Sequence, residues 1–266
     1  MTIHATAVVD AQAEVHATAS VGAYSVIGPH VSIGPDTVID AHVVISGHTT
    51  LGAGNHIGSF SSLGTPPQDM HYQDEPTELI IGQGNTIREY VSIHRGTPSD
   101  KGKTIIGNNN MLMAYCHVAH DCVLHDHIIM SNVATLGGHV EVGSYANLGG
   151  LVAVHQFCRI GAYTYVGGMS GISLDVPPYV ILTGTRNRMR IAGVNKIGMR
   201  RHGMSREAIN DVDNAFRIIF RSSPQVLVKE ALAQAIQKFP DSQEVGVLVD
   251  FFRESKRGVV KRTEDS

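Results

Sequence analysis

The chain has no tryptophan, and its aromatic residues together make up only 6% of it. Such a composition fits an aromatic-cored globule poorly; with 28 glycines it suits a repetitive, tightly turned solenoid better. Basic excess is also missing. Lys and Arg total 21 against 24 Asp and Glu, a net charge of -3, which argues against a nucleic-acid binder because phosphate neutralisation needs surplus cations. No apolar run approaches the ~18 residues of a membrane span. The opening Met1-Thr2-Ile3-His4 lacks the basic and apolar stretches of a secretory signal, so a soluble, cytoplasmic protein is expected. Cysteine is scarce, at three residues with no CxxC pair, which removes the usual pointers to a disulfide framework or a zinc ribbon.

What the sequence does have is a period of six. An aliphatic residue recurs at Ile3, Val9, Val15 and onward to Leu63, then in the same phase at Ile81, Ile87 and Ile93. After a one-residue shift it continues from Ile106 through Val118, Leu136 and Val154 to Ile172. Neither an α-helix nor an ordinary sheet requires such spacing. A triangular parallel β-helix does, since each hexapeptide makes one flat wall and a corner with the aliphatic residue pointing inward. A second inward slot, four residues further on, holds small residues such as Ala19, Ser25 and Ala134. Cys116, Cys122 and Cys158 fall in that slot and read as buried structural thiols.

The expected fold is mainly β: residues 1–180 form the solenoid, and residues 181–266 a basic connector and a C-terminal α-helical domain. Two stretches break the period, 65–77 (TPPQDMHYQDEPT) and 98–103 (PSDKGK), and read as loops thrown out from a corner. The repeat is expected to stop at Val176-Pro177-Pro178-Tyr179, because proline donates nothing to a ladder. Three helices should follow: one N-capped by Ser205 and running to about residue 222, one starting at Ser223-Pro224, and one from about Ser242 to Lys256. Covering the open end of the solenoid is the structural role expected of them.

Three hexapeptides per coil place residues about 18 apart one above another. Val118, Leu136 and Val154 then share a wall, with Ile93 one coil earlier if the 98–103 loop merely interrupts the count. The outward residues that follow bring His94, His120, Asp121, His139, His155 and Gln156 to one edge, with His117 at the adjoining corner. An imidazole beside a carboxylate is a general-base arrangement. No Ser or Cys in the column offers a nucleophile, so direct attack by a substrate hydroxyl is the simpler chemistry, with the Gly138 N–H available to an oxyanion. A metal site is the competing reading. The His120-x4-His125 spacing resembles that of hexapeptide-repeat zinc carbonic anhydrases, although His125 leaves the wall that His120 occupies. A non-enzymatic scaffold is a third, against which the clustered imidazoles argue. The connector from Thr185 to Arg201 carries Arg186, Arg188, Arg190, Lys196, Arg200 and Arg201 without one acid, which points to a phosphate or an acidic partner.

Several segments carry a family resemblance: His117-Val-Ala-His120-Asp121, Ser92-Ile-His94-Arg95-Gly96-Thr97, Val154-His155-Gln156-Phe157-Cys158, Asp175-Val-Pro-Pro-Tyr179 and Ser205-Arg-Glu-Ala-Ile209. Nearly end to end, the chain resembles the acyl-ACP:UDP-N-acetylglucosamine O-acyltransferases of lipid A biosynthesis. The resemblance implies a homotrimer of left-handed β-helices with active sites between subunits. It implies transfer of an (R)-3-hydroxyacyl group from acyl carrier protein to the 3-hydroxyl of UDP-N-acetylglucosamine, with no cofactor and no metal. His120 would be the general base, Asp121 its orienting partner and the Gly138 amide the oxyanion donor. Asp69, His71, His94, His117, His139, Gln156, Asn195 and Arg201 fall at positions associated with substrate, and Gly168 at the one that measures acyl length. Acyl carrier protein, an acidic partner, would suit the basic connector. His71 stands where the family usually has Lys, Ile197 where it has Glu, and the connector is about two residues longer, with the family's His near Arg186. The alternatives are a paralogue that acylates a 3-amino sugar nucleotide, the N-acyltransferase of the same pathway, which carries an additional N-terminal domain, and the zinc carbonic anhydrases.

Overall fold

The computed structural model describes residues 2–185, 188–221, 227–261 and 263. Short strands, most of two residues, alternate with corners, and through residue 183 each pairs in parallel with the one a full coil away. Three sheets result, of eleven, nine and eight strands among the described residues. Wall 1 begins with Thr2–Ile3, wall 2 with Val8–Val9 and wall 3 with Glu14–Val15. The repeat aliphatics point into the prism, where Ile45, Leu63, Ile93 and Val118 are fully buried. Each such side chain contributes roughly 1.5–3 kcal/mol by leaving water.

The second inward slot is as expected. Cys116, Cys122 and Cys158 are wholly buried there, alongside Ser25, Thr37 and Ala134. Asn55, Asn85 and Asn110 use the slot differently, each amide oxygen accepting the backbone N–H of the next coil: Asn55 from Asn85, Asn85 from Asn110, and Asn110 from Ile128. Corner residues adopt φ near +60° although few are glycine, among them Tyr24, Phe60, Tyr90, Asp121, Val133, His139 and Phe157. That conformation costs an L-residue steric energy. Ring stacking between neighbouring coils offsets part of it, as in the run from His42 through Phe60 and Tyr90 to Tyr115 at centroid spacings of 4.9, 5.1 and 4.8 Å.

The second loop rejoins in register, whereas the first leaves wall 2 through a register shift between Leu63 and Thr65; Thr65, placed in that loop from the sequence, ends the strand Ser62–Thr65. Leu63 pairs with Ile93 and Ile93 with Val118, spacings of 30 and 25 residues where uninterrupted coils use 18. The first insertion is a multiple of six and keeps the phase; the second is not, and produces the one-residue shift. Lys103, placed in the second loop from the sequence, is the first residue of the wall 3 strand Lys103–Ile106.

Beyond Tyr179 the structure departs from the expected stop. Wall 1 continues with Val180–Thr183, which pairs in parallel with Tyr165–Val166 and then, antiparallel, with Arg190–Val194. Pro177 and Pro178 sit at the corner, not in the strand, so they remove no ladder donor from the wall. The connector also holds a short helix, α1 (Lys196–Arg201), N-capped by Asn195. Then come α2 (Arg206–Phe220, capped by Ser205), α3 (Val228–Lys238) and α4 (Gln243–Glu254, capped by Ser242). Among the described residues four helices therefore stand where three were expected, and the second expected start, Ser223-Pro224, lies outside them. Val212, Ala215, Ile219, Leu232, Ala235, Val245 and Leu248 form a second core between α2, α3 and α4, while Phe216 joins the core of the prism. The chain's last segment returns to the final coil through an Asp175–Val259 bridge.

Candidate active site

The corner that follows wall 2 carries the imidazoles. His120 Nδ1 lies 2.9 Å from Asp121 Oδ2. Asp121 is fully buried, and its carboxylate also accepts from the Thr97 N–H at 3.1 and 3.0 Å and from the Thr97 hydroxyl at 2.6 Å. Its own N–H donates to Thr104 Oγ1 at 2.8 Å. Burial alone would raise the Asp121 carboxyl; the hydrogen bonds from His120 and Thr97 outweigh it and hold the group below its usual range. An ionised carboxylate only accepts, so the bonded Nδ1 of His120 carries a proton, and in the neutral imidazole it is Nε2 that holds the free lone pair.

The His120 ring lies against bare backbone. An ideal Cβ at Gly138 would come within 2.7 Å of its Cε1 and 2.8 Å of its Nε2. Among the described residues, the Gly138 N–H donates to no protein acceptor. One coil on, His139 meets His120 edge to face at 5.0 Å, stacks on Phe157 at 4.3 Å and bonds Asp100 Oδ2 through Nδ1 at 2.8 Å.

His117, expected at the adjoining corner, stands on the wall 2 strand His117–Val118 just before His120, and its ring lies 5.3 Å from that of His94 one coil earlier. His94 Nδ1 donates to the Pro66 carbonyl at 2.6 Å, which ties the first loop to the edge. Burial pushes His94 down, and burial followed by the neighbouring His94 pushes His117 down to about 4. His117 is therefore neutral at pH 7, its Nδ1 2.8 Å from Ser92 Oγ. Arg95 secures the same loop by donating to Tyr72 Oη and the Gly64 carbonyl at 3.0 and 2.9 Å. On that loop the Asp69 carboxylate accepts from the His71 N–H and Nδ1, which hold it below its usual range, with His120 adding to the effect. The His71 ring itself is 96% exposed.

The remaining expected residues are more dispersed. Gln156 is exposed on the same corner column, and neighbouring His155 accepts from Arg257 Nη2 at 2.9 Å. Gly168 is at another corner, after wall 1, stacked over Gly150. Asn195 caps α1, accepting from Gly198 N–H and donating to the Tyr163 carbonyl. Arg201 is exposed at the end of that helix, and Arg186 lies outside the described residues. Of the connector's other cations, Lys196 pairs with Asp213 at 2.9 Å.

Sequence reasoning missed what holds the pair in place, Thr97 and Thr104, and also Asp100, which bonds the neighbouring His139. Thr97 ends a motif visible in the sequence, but the irregular loop hides its position over Asp121. His120, Asp121 and His139 each offer a metal-ligating atom within 4.8 Å of one another, though the Asp121 oxygens are already engaged. His125 bonds Glu141 on wall 3, so it joins no ligand set with His120. A cavity of about 880 Å³ opens beside His139 and Phe157, bounded by Asp100, Lys101, Arg159 and Arg257. No described helix is long and apolar enough to cross a membrane.

A left-handed hexapeptide prism that carries a carboxylate-backed imidazole on one edge and a helical cap at its end defines a hexapeptide-repeat acyltransferase. Residues 175–260 match a family profile described as "Udp N-acetylglucosamine O-acyltransferase; Domain 2", and the acyl-[acyl-carrier-protein]--UDP-N-acetylglucosamine O-acyltransferase of Syntrophobacter fumaroxidans is 47% identical, with 98% of this chain and 100% of that one aligned. The chain belongs to the acyl-ACP–UDP-N-acetylglucosamine O-acyltransferase family. The enzyme of the same name from Halorhodospira halophila is 48% identical over 77% of this chain and 78% of its own. The crystal structure of UDP-N-acetylglucosamine O-acyltransferase from Moraxella catarrhalis superposes with a TM-score of 0.92 at 42% identity, covering 98% of this chain and 100% of that one.

Proposed function

We propose that this enzyme transfers an (R)-3-hydroxyacyl group from acyl carrier protein to the 3-hydroxyl of UDP-N-acetylglucosamine, the first step of lipid A synthesis, in the cytoplasm. The observation that carries the reading is the 2.9 Å bond from His120 Nδ1 to buried Asp121, which leaves Nε2 as a base beside Gly138. Nε2 takes the proton of the 3-hydroxyl as that oxygen attacks the thioester carbonyl. Asp121 stabilises the imidazolium that results, and the Gly138 N–H receives the oxyanion. When the intermediate collapses, the imidazolium returns its proton to the departing carrier thiolate. No acyl-enzyme is needed, and the cysteines are unsuited to one: burial raises Cys116, Cys122 and Cys158 to about 11, 12 and 11.

In this reading residues 1–180 supply the catalytic edge, and residues 181–266 cap the prism and offer cations to the acidic carrier. Asp69, His71, His94, His117, His139 and Gln156 bind the sugar nucleotide, and Gly168 lies along the acyl chain. Asn195 and Arg201 belong to the nucleotide site of a neighbouring subunit in a homotrimer. Exposed apolar side chains support such an assembly: Met70 at the first loop's tip is 101% exposed, and Tyr115, Leu151 and Met169 line one corner at 56%, 56% and 73%.

The test is product analysis by mass spectrometry, with acyl-carrier thioesters of several lengths offered UDP-N-acetylglucosamine and its 3-amino analogue in competition. An O-acylated product made without added metal, and its loss in His120→Ala with the oligomer intact, is expected. Near-native turnover in that variant, or acylation of the amino sugar alone, would overturn the assignment.

A further inference from the structure

The second loop reaches the site twice. Thr97 at its root holds Asp121, and three residues later Asp100 Oδ2 sits 2.8 Å from His139 Nδ1. Packing fixes the plane of the His139 ring, through the Phe157 stack at 4.3 Å with an 8° interplanar angle and the edge contact to His120 at 5.0 Å. It does not fix which nitrogen faces the loop. The two ring flips are nearly isosteric, so stacking is indifferent between them and only a hydrogen bond can choose. A carboxylate accepts and cannot donate, so the proton must be on Nδ1. Nε2 makes no hydrogen bond to the described residues, and the ring borders the cavity of about 880 Å³.

We propose that Asp100 is a positioning residue: by holding the Nδ1 proton it fixes the His139 flip and tautomer, and so presents Nε2 as a hydrogen-bond acceptor for a hydroxyl of the sugar nucleotide. The inference rests on the site being a sugar-nucleotide acyltransferase. Asp100 itself touches neither the reacting atoms nor His120. Its side chain is 39% exposed on a surface loop, so its replacement leaves the prism intact.

The experiment has a spectroscopic and a kinetic arm, applied to the full chain as wild type, Asp100→Ala and Asp100→Asn. Imidazole nitrogen NMR of histidine-labelled protein, with the His139 signals assigned through His139→Asn, reads the tautomer without substrate. Wild type is expected in the Nδ1–H form, and Asp100→Ala is expected to move toward the Nε2–H form that free histidine prefers. Asp100→Asn keeps an acceptor oxygen and should keep the wild-type tautomer. In steady-state assays Asp100→Ala should raise KM for the sugar nucleotide about tenfold, the loss of one hydrogen bond, while kcat changes less than about twofold. Asp100→Asn should restore most of the KM. A wild-type ring in the Nε2–H form would overturn the proposal, as would an unchanged tautomer or KM in Asp100→Ala, or an Asn variant as impaired as Ala. Absence of acyl transfer by the wild type would instead strike the acyltransferase reading, because the tautomer is read on the unliganded chain.

Discussion

The His120 ring occupies the space in which a side chain at residue 138 would stand, 2.7 Å from an ideal Cβ there. Gly138 is not among the glycines with positive φ, so its backbone would accept alanine and the ring alone decides the outcome. The ring cannot yield cheaply, because its bond to buried Asp121 would break first. Gly138→Ala is therefore expected to lower kcat/KM about 100-fold, the usual consequence of displacing a reacting group by an ångström. Thermal unfolding should be little changed, because the corner faces outward. Steady-state kinetics beside a melting curve check both halves, and a fast variant would show that the ring can shift without penalty.

Asp121 is expected to matter for stability as well as rate. Its removal in Asp121→Ala strands the Thr97 N–H in a buried site and leaves the Thr97 hydroxyl with Ser99 alone, a loss of roughly 1–3 kcal/mol. Since hydrogen bonds hold its folded-state pKa below the unfolded value, its contribution is present above the unfolded pKa and is lost as pH falls through the folded one. Urea unfolding of wild type and variant at several pH values should show the gap narrowing on acidification. A constant gap would mean that the carboxylate charge contributes nothing.

The prism was legible in the sequence because one strong signal, an inward aliphatic every sixth residue, also fixes which distant residues share a wall. The pairing of Ile93 with Val118, which sets His94 beside His117, follows from that count once the loop is skipped. The Arg190–Val194 strand and helix α1 were not legible. The strand carries no period of two, and α1 is too short for a 3.6-residue period to show. Asp100 was invisible for another reason: only the folded path of an irregular loop places it on His139.

His117 should make the enzyme acid-sensitive. Its pKa is held at about 4 by burial and by His94, below the ordinary 6.5 it regains on unfolding. Between those values the unfolded chain binds the extra proton, so folding stability falls as pH drops from about 6.5 to about 4. His117→Gln, which does not titrate, should flatten that part of the curve relative to wild type. Melting temperatures across the window check it, and parallel curves would refute it.

Val133 offers a stabilising change. It is β-branched, 40% exposed and held at φ +65°, a region that favours Gly and Asn. Val133→Asn should relieve the strain and stabilise each subunit by about 1 kcal/mol, while giving up an apolar side chain on the Tyr115–Leu151 corner proposed to meet the neighbouring subunit. Denaturant unfolding tests the sign: a loss would mean that packing against its neighbours outweighs the backbone term.

Gly168 should set acyl length by the space it leaves open. It is exposed at its corner, and a Cβ there would stand 3.2 Å from the Gly150 carbonyl, a contact eased by a few tenths of an ångström. The methionine of Gly168→Met then has to project outward, into the path proposed for the acyl chain. Each methylene displaced from an apolar surface weakens binding by about 0.8 kcal/mol, so blocking two favours a donor shorter by two carbons by roughly tenfold. Mass spectrometry of products from mixed acyl-carrier thioesters should show that shift toward shorter chains, with turnover on the best donor preserved because His120 is on another corner. An unaltered product distribution would place the chain along a different surface of the prism.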